Sequence, residues 1–395
     1  MKVFIVTVQP FPNGLAGTGR VICYAKSLLN AGLKCEVVVF HRTEVYGQKP
    51  KNTIGIGVFE GIPFRYIGGT PLRASNVFLR KINDWRDKVN LLKYLKNNMV
   101  KGDAILTYYR QNPMDHKLLS FANKNGFHIY RDLCEYPFAT SRIDASTESR
   151  CKHYMESVFP KYNGAICISQ PLFDLAKKYH PTGKHIKVPI MIDKDKWIFE
   201  NVEAKKSKAP YIFHSGALFQ QKDGIVDVLN CFADALPNLP VGTKYYFTGK
   251  VENSTDASLI KKVIKDRHLQ DNVVFLGFLE KDEMIQYMKG ASLFIIYKND
   301  NLQNKYCFAT KLGEYLLSGK PVITTNIGEA MCYLINGRDA YVIDCGNYEQ
   351  LTNTIIHLLN HSDESLKIGS CGKKNAEQNF CYEAQSRKLA DYFRS

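Results

Sequence analysis

The chain has 395 residues, of which 45% are hydrophobic and 23% charged, a composition typical of a packed protein of about two domains rather than a disordered one. Lysine and arginine outnumber acidic residues by 53 to 38, so the net charge is +15 and an anionic partner is expected. No apolar run reaches the roughly 18 residues of a membrane span, and no zinc-finger, RNA-binding or helix-turn-helix motif favours a nucleic-acid partner.

The first half of the chain alternates short apolar strands with helical segments. Strands are predicted at residues 2–8, 35–40, 104–108, 128–132 and 165–169. A glycine-rich loop is predicted over residues 11–19, followed by a helix over residues 20–31 that Gly32 ends. This order predicts a doubly wound parallel sheet.

Three glycines, Gly14, Gly17 and Gly19, lie between the first predicted strand and the first helix. Glycine lets a ligand approach the backbone, and a helix start presents unpaired N–H groups to an anion. The spacing differs from the dinucleotide-binding fingerprint, and no clear acidic residue ends the second strand. The residues alone are consistent with an anion-binding loop and with a plain tight loop.

Residues 77–99 combine apolar and basic side chains at near-helical spacing. The apolar positions are Phe78, Ile82, Trp85, Val89, Leu92 and Met99, and the basic ones are Arg80, Lys81, Arg86, Lys88, Lys93 and Lys96. A helix of this kind can lie on an anionic bilayer. It can equally pack on a core beneath a solvated basic face, and both interpretations stay open.

A second strand–helix series begins at residue 211 and ends in a segment of distinct pattern, residues 306–328. Further strands are predicted at residues 245–248, 273–276, 293–297 and 322–325. Within the last segment, Glu314 stands in an apolar helical pattern, Gly319 stops the helix, and Pro321 leads into the buried strand. That order predicts a ligand loop at the carboxyl edge of a parallel sheet.

This segment resembles the donor-binding segment of the glycosyltransferases with two Rossmann-like domains, specifically the large retaining group called family 4. In that family a Glu-Gly-Phe-Gly loop is followed by a second Glu and a Gly-x-Pro-Val turn. The positions that fit are Phe308, Glu314, Gly319, Pro321 and Val322. The positions that depart from the pattern are Tyr306, at the first Glu, and Cys307 and Ala309, at the two glycines.

The resemblance extends over nearly the whole chain and implies the GT-B architecture. This is an α/β fold with two Rossmann-like, doubly wound parallel-sheet domains that face a cleft, and its C-terminal helix returns to the first domain. The expected boundaries are 1–190 for the acceptor-side domain, 191–208 for a hinge, 209–378 for the nucleotide-sugar-binding domain and 379–395 for the last helix.

The resemblance also implies a set of residues that hold a nucleotide-diphosphate sugar. They are Gly17 and Gly19 in the first domain, and Gly216, Lys222, Phe308, Ala309, Thr310, Lys311 and Glu314 in the second. The lysines would stabilise the leaving diphosphate, and Glu314 would accept hydrogen bonds from ribose hydroxyls. The family's arginine before Lys222 is missing, since Ala217 or Leu218 stands there.

Glu135 and Lys222 are the expected catalytic residues. Glu135 fits the acid that the family places beside the reacting sugar, where it would orient the acceptor or stabilise an oxocarbenium-like transition state. Each candidate also has an ordinary interpretation from the residues alone: a solvated loop lysine for Lys222, a helix-surface lysine for Lys311, a helix-stabilising acid for Glu314 and a loop acid for Glu135.

The implied activity is retaining transfer of a sugar to a saccharide or polyprenyl-linked saccharide acceptor, in bacterial surface polysaccharide synthesis and without a metal. Asp193-Lys194-Asp195 is formally a metal-binding D-x-D, but its place in the hinge predicts a turn cap. The expected location is the cytoplasm, with or without peripheral attachment to the inner face of the membrane through residues 77–99. Two rivals stay open: a non-catalytic nucleotide-sugar or saccharide-binding protein, and a nucleotide-sugar 2-epimerase.

Overall fold

The computed structural model describes residues 1–139, 144–199, 202–216 and 218–395, and over these ranges the chain forms two α/β units. The first unit comprises Met1–Asp193 and Cys381–Ser395, and the second comprises Lys194–Phe380. Each unit has its own sheet and its own apolar core. The prediction of two doubly wound parallel-sheet domains is confirmed.

The first unit contains, in its described part, an eight-stranded sheet with the order β3-β4-β2-β1-β5-β6-β7-β8, in which β3 is antiparallel to β4 and the other pairs are parallel. Its strands are β1 Lys2–Thr7, β2 Lys34–Val39, β3 Ile56–Phe59, β4 Ile62–Tyr66, β5 Ala104–Tyr108, β6 His128–Leu133, β7 Gly164–Cys167 and β8 Lys184–Lys187. Because β2 and β5 flank β1, the chain reverses its winding at the carboxyl end of β1.

Five helices of the described residues connect these strands. They are α1 Ala16–Asn30, α2 Val77–Asn98, α3 Met114–Asn125, α4 Ala145–Ser157 and α5 Gln170–Tyr179. The helix predicted over residues 77–99 is therefore present as α2, and the Asn76 side chain caps it by accepting a hydrogen bond from Phe78 N–H over 2.7 Å. No helix in the described ranges is long and apolar enough to cross a membrane.

The second unit contains, in the part that the structure describes, a six-stranded parallel sheet with the order β11-β10-β9-β12-β13-β14. Its strands are β9 Tyr211–His214, β10 Lys244–Thr248, β11 Val273–Gly277, β12 Leu293–Ile296, β13 Val322–Thr325 and β14 Tyr341–Ile343. Its helices are α6 Gln220–Asp223, α7 Ile225–Ala235, α8 Ala257–Asp266, α9 Lys281–Gly290, α10 Leu302–Tyr306, α11 Thr310–Leu317, α12 Tyr348–Asn360 and α13 Ser362–Asn379. The winding reverses at the carboxyl end of β9.

The last helix, α14 Tyr382–Arg394, belongs to the first unit although its sequence follows the second. It packs on α1, and its rings Tyr392 and Phe393 lie 5.0 and 5.4 Å from the ring of Tyr130 in β6. The backbone also joins this helix to the end of the first unit, because Tyr382 N–H donates to Ile192 O over 3.0 Å. The predicted return of the C-terminal helix to the first domain is confirmed.

The predicted start of the first helix was wrong, and the difference concerns two candidate residues. Helix α1 begins at Ala16, so Gly17 and Gly19 lie in its first turn and not in a loop that continues to residue 19. The chain enters the helix early because the Thr18 hydroxyl donates to Pro10 O over 2.6 Å and buries its side chain there. Tertiary contacts of this kind override the low helix propensity of two glycines.

Candidate active site

The loop after β9 is fixed at the carboxyl edge of the second sheet by a neighbouring strand and a helix. Gly216 has a φ of +111°, a backbone conformation that favours glycine. Its N–H donates to Thr248 Oγ1 at the end of β10 over 2.9 Å. The preceding Ser215 N–H donates to the buried Tyr315 hydroxyl of α11 over 2.7 Å. The glycine backbone is thereby held next to the start of α11.

Lys311, in the first turn of α11, lies beside this glycine. Its Nζ is 3.9 Å from the position that a Cβ would take at Gly216. The same atom is 3.4 Å from Asp223 Oδ1 and 3.4 Å from His214 Nε2. The structure therefore joins two sequence-predicted residues, Gly216 and Lys311, to Asp223 and His214, which sequence reasoning did not single out.

A second lysine shares the same carboxylate. Lys298, two residues beyond β12, donates from Nζ to Asp223 Oδ1 over 2.7 Å and to Lys222 O over 3.3 Å. Burial alone would raise the pKa of Asp223, but Lys311, Lys298 and His214 hold it well below its usual range. Asp223 is therefore an ionised carboxylate between two ammonium groups.

Asparagine side chains hold the loop that carries Lys222. The carbonyls of α6 accept their hydrogen bonds as follows: Gln220 O from Asn299, Gln221 O from Asn301, and Lys222 O from Asn304, over 2.7, 2.8 and 3.1 Å. At the end of this four-residue helix, Gln220 O also accepts a hydrogen bond from Gly224 N–H over 2.9 Å. The backbone position of Lys222 is thus set by the segment that follows β12, and its ammonium is close enough to lower the pKa of Lys311.

The residues that precede α11 present backbone rather than side chains. Phe308 is buried, with its ring stacked on Tyr333 and edge-on to Phe380, so its side chain packs in the interior of the protein. Ala309 is the residue before the helix and has no side chain that can cap it. The N–H groups at this helix start, including that of Thr310, are therefore the groups able to meet an anion.

Glu314 is half-buried on α11, one turn after Lys311. Burial raises the pKa of its carboxyl group, and the charges of Lys196 and Lys311 oppose that shift. A carboxylate in this position can accept hydrogen bonds from a pair of hydroxyl groups. Tyr306, at the place of the family's first Glu, ends α10 four residues before α11.

The candidates of the first unit lie after the ends of β1 and β6. Gly17 is packed against Gln9, since a Cβ there would come within 2.6 Å of the Gln9 amide, whereas Gly19 has open space where a Cβ would be. Glu135, two residues beyond β6, is half-buried. These positions follow from the sheet order, which places β1 and β6 on either side of β5.

Asp132, in the same segment as Glu135, is engaged in a buried ion pair. Its Oδ1 accepts hydrogen bonds from Arg20 over 3.1 and 3.2 Å and from the Tyr24 hydroxyl. Arg20 also donates to Pro189 O over 3.0 Å. Burial would lower the pKa of Arg20, but Asp132 raises it above its usual value. This network joins α1, β6 and the end of the first unit, so Asp132 has a structural role.

Two further expectations concern the missing arginine and metal ions. Ala217 lies outside the described residues, and Leu218 is buried in the core of the second unit. Asp193 of the D-x-D accepts a hydrogen bond from Lys26 Nζ over 2.7 Å. Among the described ranges, no three His, Cys, Asp or Glu side chains are grouped as metal ligands. Transfer without a metal stays a prediction.

Comparison with known proteins identifies one matching family model and several solved structures with a similar fold. Residues 195–389 match the family model described as "Glycosyl transferases group 1". The fold is similar to sucrose-phosphate synthase from Thermosynechococcus elongatus, with a TM-score of 0.73, 13% identity, and coverage of 100% of this chain and 98% of that one. It is similar to Anabaena HepE in complex with UDP-glucose, with a TM-score of 0.69, 15% identity and 98% coverage of both chains.

A third similar structure is a mutant of S. aureus TarM, in complex with fondaparinux, alpha-GlcNAc-glycerol and UDP. Its TM-score is 0.70 at 13% identity, and the match covers 100% of both chains. At such low identity these likenesses establish the fold. No similar sequence was found among curated proteins.

The chain is therefore a glycosyltransferase of the GT-B fold. Its residues 195–389 are the part that matches the family model of the glycosyl transferases group 1.

Proposed function

We propose that this glycosyltransferase is of the retaining, family 4 type and takes its sugar from a nucleotide-diphosphate donor bound at the carboxyl edge of the second sheet. The observation that carries the proposal is the convergence of Lys311, the Gly216 backbone and the loop of Lys222 around the end of β9. In doubly wound sheets, ligands bind where the winding reverses, and β9 is the strand at which it does so.

In this proposal the second unit stabilises the leaving group. Negative charge grows on the diphosphate as the glycosidic bond breaks, and Lys311, Lys222 and the N–H groups at the start of α11 offset it. Glu314 accepts hydrogen bonds from the ribose hydroxyls. From the first unit, Glu135 supports the acceptor or the oxocarbenium-like transition state, and Gly17 and Gly19 allow close approach of the substrates.

The acceptor in this proposal is a saccharide or a polyprenyl-linked saccharide of a bacterial surface polysaccharide. Similar structures that support this assignment include TarM with alpha-GlcNAc-glycerol and the lipopolysaccharide outer core galactosyltransferase WaaB. HepE was solved with UDP-glucose and with UDP, which makes a uridine nucleotide the first donor class to test.

A thermal-shift screen against UDP-, GDP-, ADP- and CMP-sugars tests the donor site. One nucleotide class is expected to raise the melting temperature, because a ligand that binds only the folded state stabilises it by an amount that grows with the ratio of ligand concentration to Kd. Glu314→Ala is expected to lose most of that shift. The matched control is Glu283→Ala, which removes an exposed acid from the first turn of α9 and is expected to keep it. A full shift in Glu314→Ala would place the ribose contact elsewhere.

We also propose that α2 contacts an anionic membrane surface. This helix exposes large apolar side chains, namely Val77, Phe78, Leu79, Trp85 and Val89, at 58, 70, 50, 63 and 45% of their maximum. Its two acids pair with side chains outside the helix: Asp84 lies 3.3 Å from His41, and the buried Asp87 pairs with Arg42 at 3.1 Å. Exposed Lys81, Arg86, Lys93 and Lys96 remain on the same helix, and this combination matches an anionic bilayer.

Vesicle co-sedimentation tests this surface. The protein is expected to bind phosphatidylglycerol vesicles, to bind phosphatidylcholine vesicles weakly, and to lose affinity as salt screens the basic side chains. Phe78→Ser/Trp85→Ser is expected to lower the bound fraction about tenfold or more, since two large apolar groups no longer enter the interface. Leu366→Ser, which removes a half-exposed leucine of the second unit, is the control. Equal binding of both variants would exclude α2 as the contact.

A further inference from the structure

We infer that Lys298 is a positioning residue of the donor site: by occupying the Asp223 carboxylate, it leaves the charge of Lys311 available to the donor phosphates. The inference rests on the proposed function, because it takes Lys311 as a phosphate ligand. Lys298 lies outside the sequence pattern of the donor segment, and it has no other role in the proposed transfer.

Lys298 is fixed by its backbone and by its side chain. Its N–H donates to Thr325 Oγ1 over 3.0 Å, and the same hydroxyl donates to Lys298 O over 3.1 Å. Its ammonium is bound to Asp223 and to the carbonyl of Lys222, and only 7% of the side chain is exposed. Because these contacts fix its ammonium group, Lys298 cannot move toward a ligand, and its charge acts on Asp223.

Lys311 shares the same carboxylate oxygen but is bound less closely. Its distance of 3.4 Å to Asp223 Oδ1 is longer than a good N–H···O bond, and its side chain is more exposed, at 17%. One carboxylate therefore faces two ammonium groups, which leaves one positive charge in excess. That excess lies with Lys311, beside the Gly216 backbone, where a phosphate can reach it.

Removal of Lys298 changes the partner of Asp223. The carboxylate, buried and ionised, would then have Lys311 as its one close ammonium among the described residues. In a site of low dielectric constant the two would form a tight ion pair, and Lys311 would be withdrawn from the ligand. Removal of the Asp223 charge in the same variant would release Lys311 again. The two substitutions are thus expected to have opposite effects.

Titration with the nucleoside diphosphate (UDP, GDP or ADP) that stabilises the wild-type protein most tests this expectation. Lys298→Met is expected to weaken binding about tenfold or more, the size of one lost charge-assisted hydrogen bond. Lys298→Met/Asp223→Asn is expected to recover most of that loss. Lys305→Met, which removes an exposed lysine paired with Asp300, is the control and is expected to bind like wild type.

The pH dependence gives a readout that a merely structural role would not move. Only the ammonium form of Lys311 binds phosphate, so affinity is present below its pKa and falls as the pH rises through it. The pKa of Lys311 lies below the usual lysine value because of burial, and the charges of Lys298 and Lys222 lower it further. Asp223 opposes this lowering of the pKa, and His214 and Glu314 also face the Lys311 side chain. Without Lys298 the pKa rises, and the fall in affinity moves to higher pH. Above about pH 8 the terminal phosphate is fully ionised and adds no change of its own.

The outcomes separate this inference from the proposed function. If Lys311→Met binds the nucleoside diphosphate as tightly as wild type, the donor site is wrongly placed. If Lys311→Met loses affinity but Lys298→Met does not, or if the double variant fails to recover, the positioning role is wrong while the donor site stands. Lys298→Gln, which keeps a hydrogen-bond donor without the charge, replaces Lys298→Met if that variant does not fold, with the same expected results.

Discussion

Lys311→Met is expected to lower kcat/KM for sugar transfer by about 10²–10³-fold, the usual effect of removing one group that stabilises charge developing in the transition state. Lys311 is the cation that the structure places next to the Gly216 backbone at the switch point of the second sheet. The measurement is initial-rate transfer from the donor class found by the nucleotide screen. A loss of less than about threefold would show that another group stabilises the charge that develops in the transition state.

The stability of the Lys311→Met variant is expected to change little. Asp223 keeps its 2.7 Å bond to Lys298 when Lys311 is removed, so no buried carboxylate is left unpaired. The urea midpoint should therefore match that of wild type, and a loss of activity can be assigned to the site. Lys305→Met again supplies the control, because it removes a positive charge from the same unit at an exposed position.

Arg20→Met is expected to destabilise the protein by about 3–5 kcal/mol, the cost of leaving a buried charge without its counter-ion. Arg20 and Asp132 are almost fully buried and 3.1 Å apart, and Arg20 also binds Pro189 O. In the variant, Asp132 keeps the Tyr24 hydroxyl but loses the cation. Urea denaturation followed by circular dichroism measures the effect as a lower midpoint.

Two comparisons make the Arg20 result specific. Arg387→Ala removes one partner of an exposed pair with Asp391, and it is expected to change stability by less than about 0.5 kcal/mol. Arg20→Met/Asp132→Leu removes both buried charges and is expected to regain part of the loss. A double variant no more stable than Arg20→Met would mean that the pair contributes through its other contacts and not through charge.

The strands at the centre of each sheet could be predicted from the sequence because they are apolar on both faces. Residues 104–108 and 322–325 were predicted with the bounds that β5 and β13 have. The strands β3, β4, β8 and β14 were missed. The side chains of β3 and β8 are partly or largely exposed, β4 is interrupted by Pro63 and Arg65, and β14 has only three residues, so none of them gives a long apolar run.

The candidate site could be predicted only where its residues lie in one stretch of sequence. Lys311 and Glu314 share the helix α11 with the motif that identified them. Lys298 and Asp223 are 75 residues apart and meet because the sheet order places β12 next to β9. A lysine after an apolar strand also looks like any solvated loop lysine, and its burial depends on contacts that no local pattern records. The position of Lys298 directly after a buried strand was the one available signal.

The most direct test of the central claim is a crystal structure of the protein with a bound nucleotide-diphosphate sugar or its nucleoside diphosphate. The diphosphate is expected at the carboxyl end of β9, with a phosphate oxygen within hydrogen-bond distance of Lys311 Nζ and the ribose hydroxyls on Glu314. Lys298 should remain on Asp223. A nucleotide bound elsewhere, or at this edge with Lys311 still paired to Asp223 and remote from the phosphates, would contradict it.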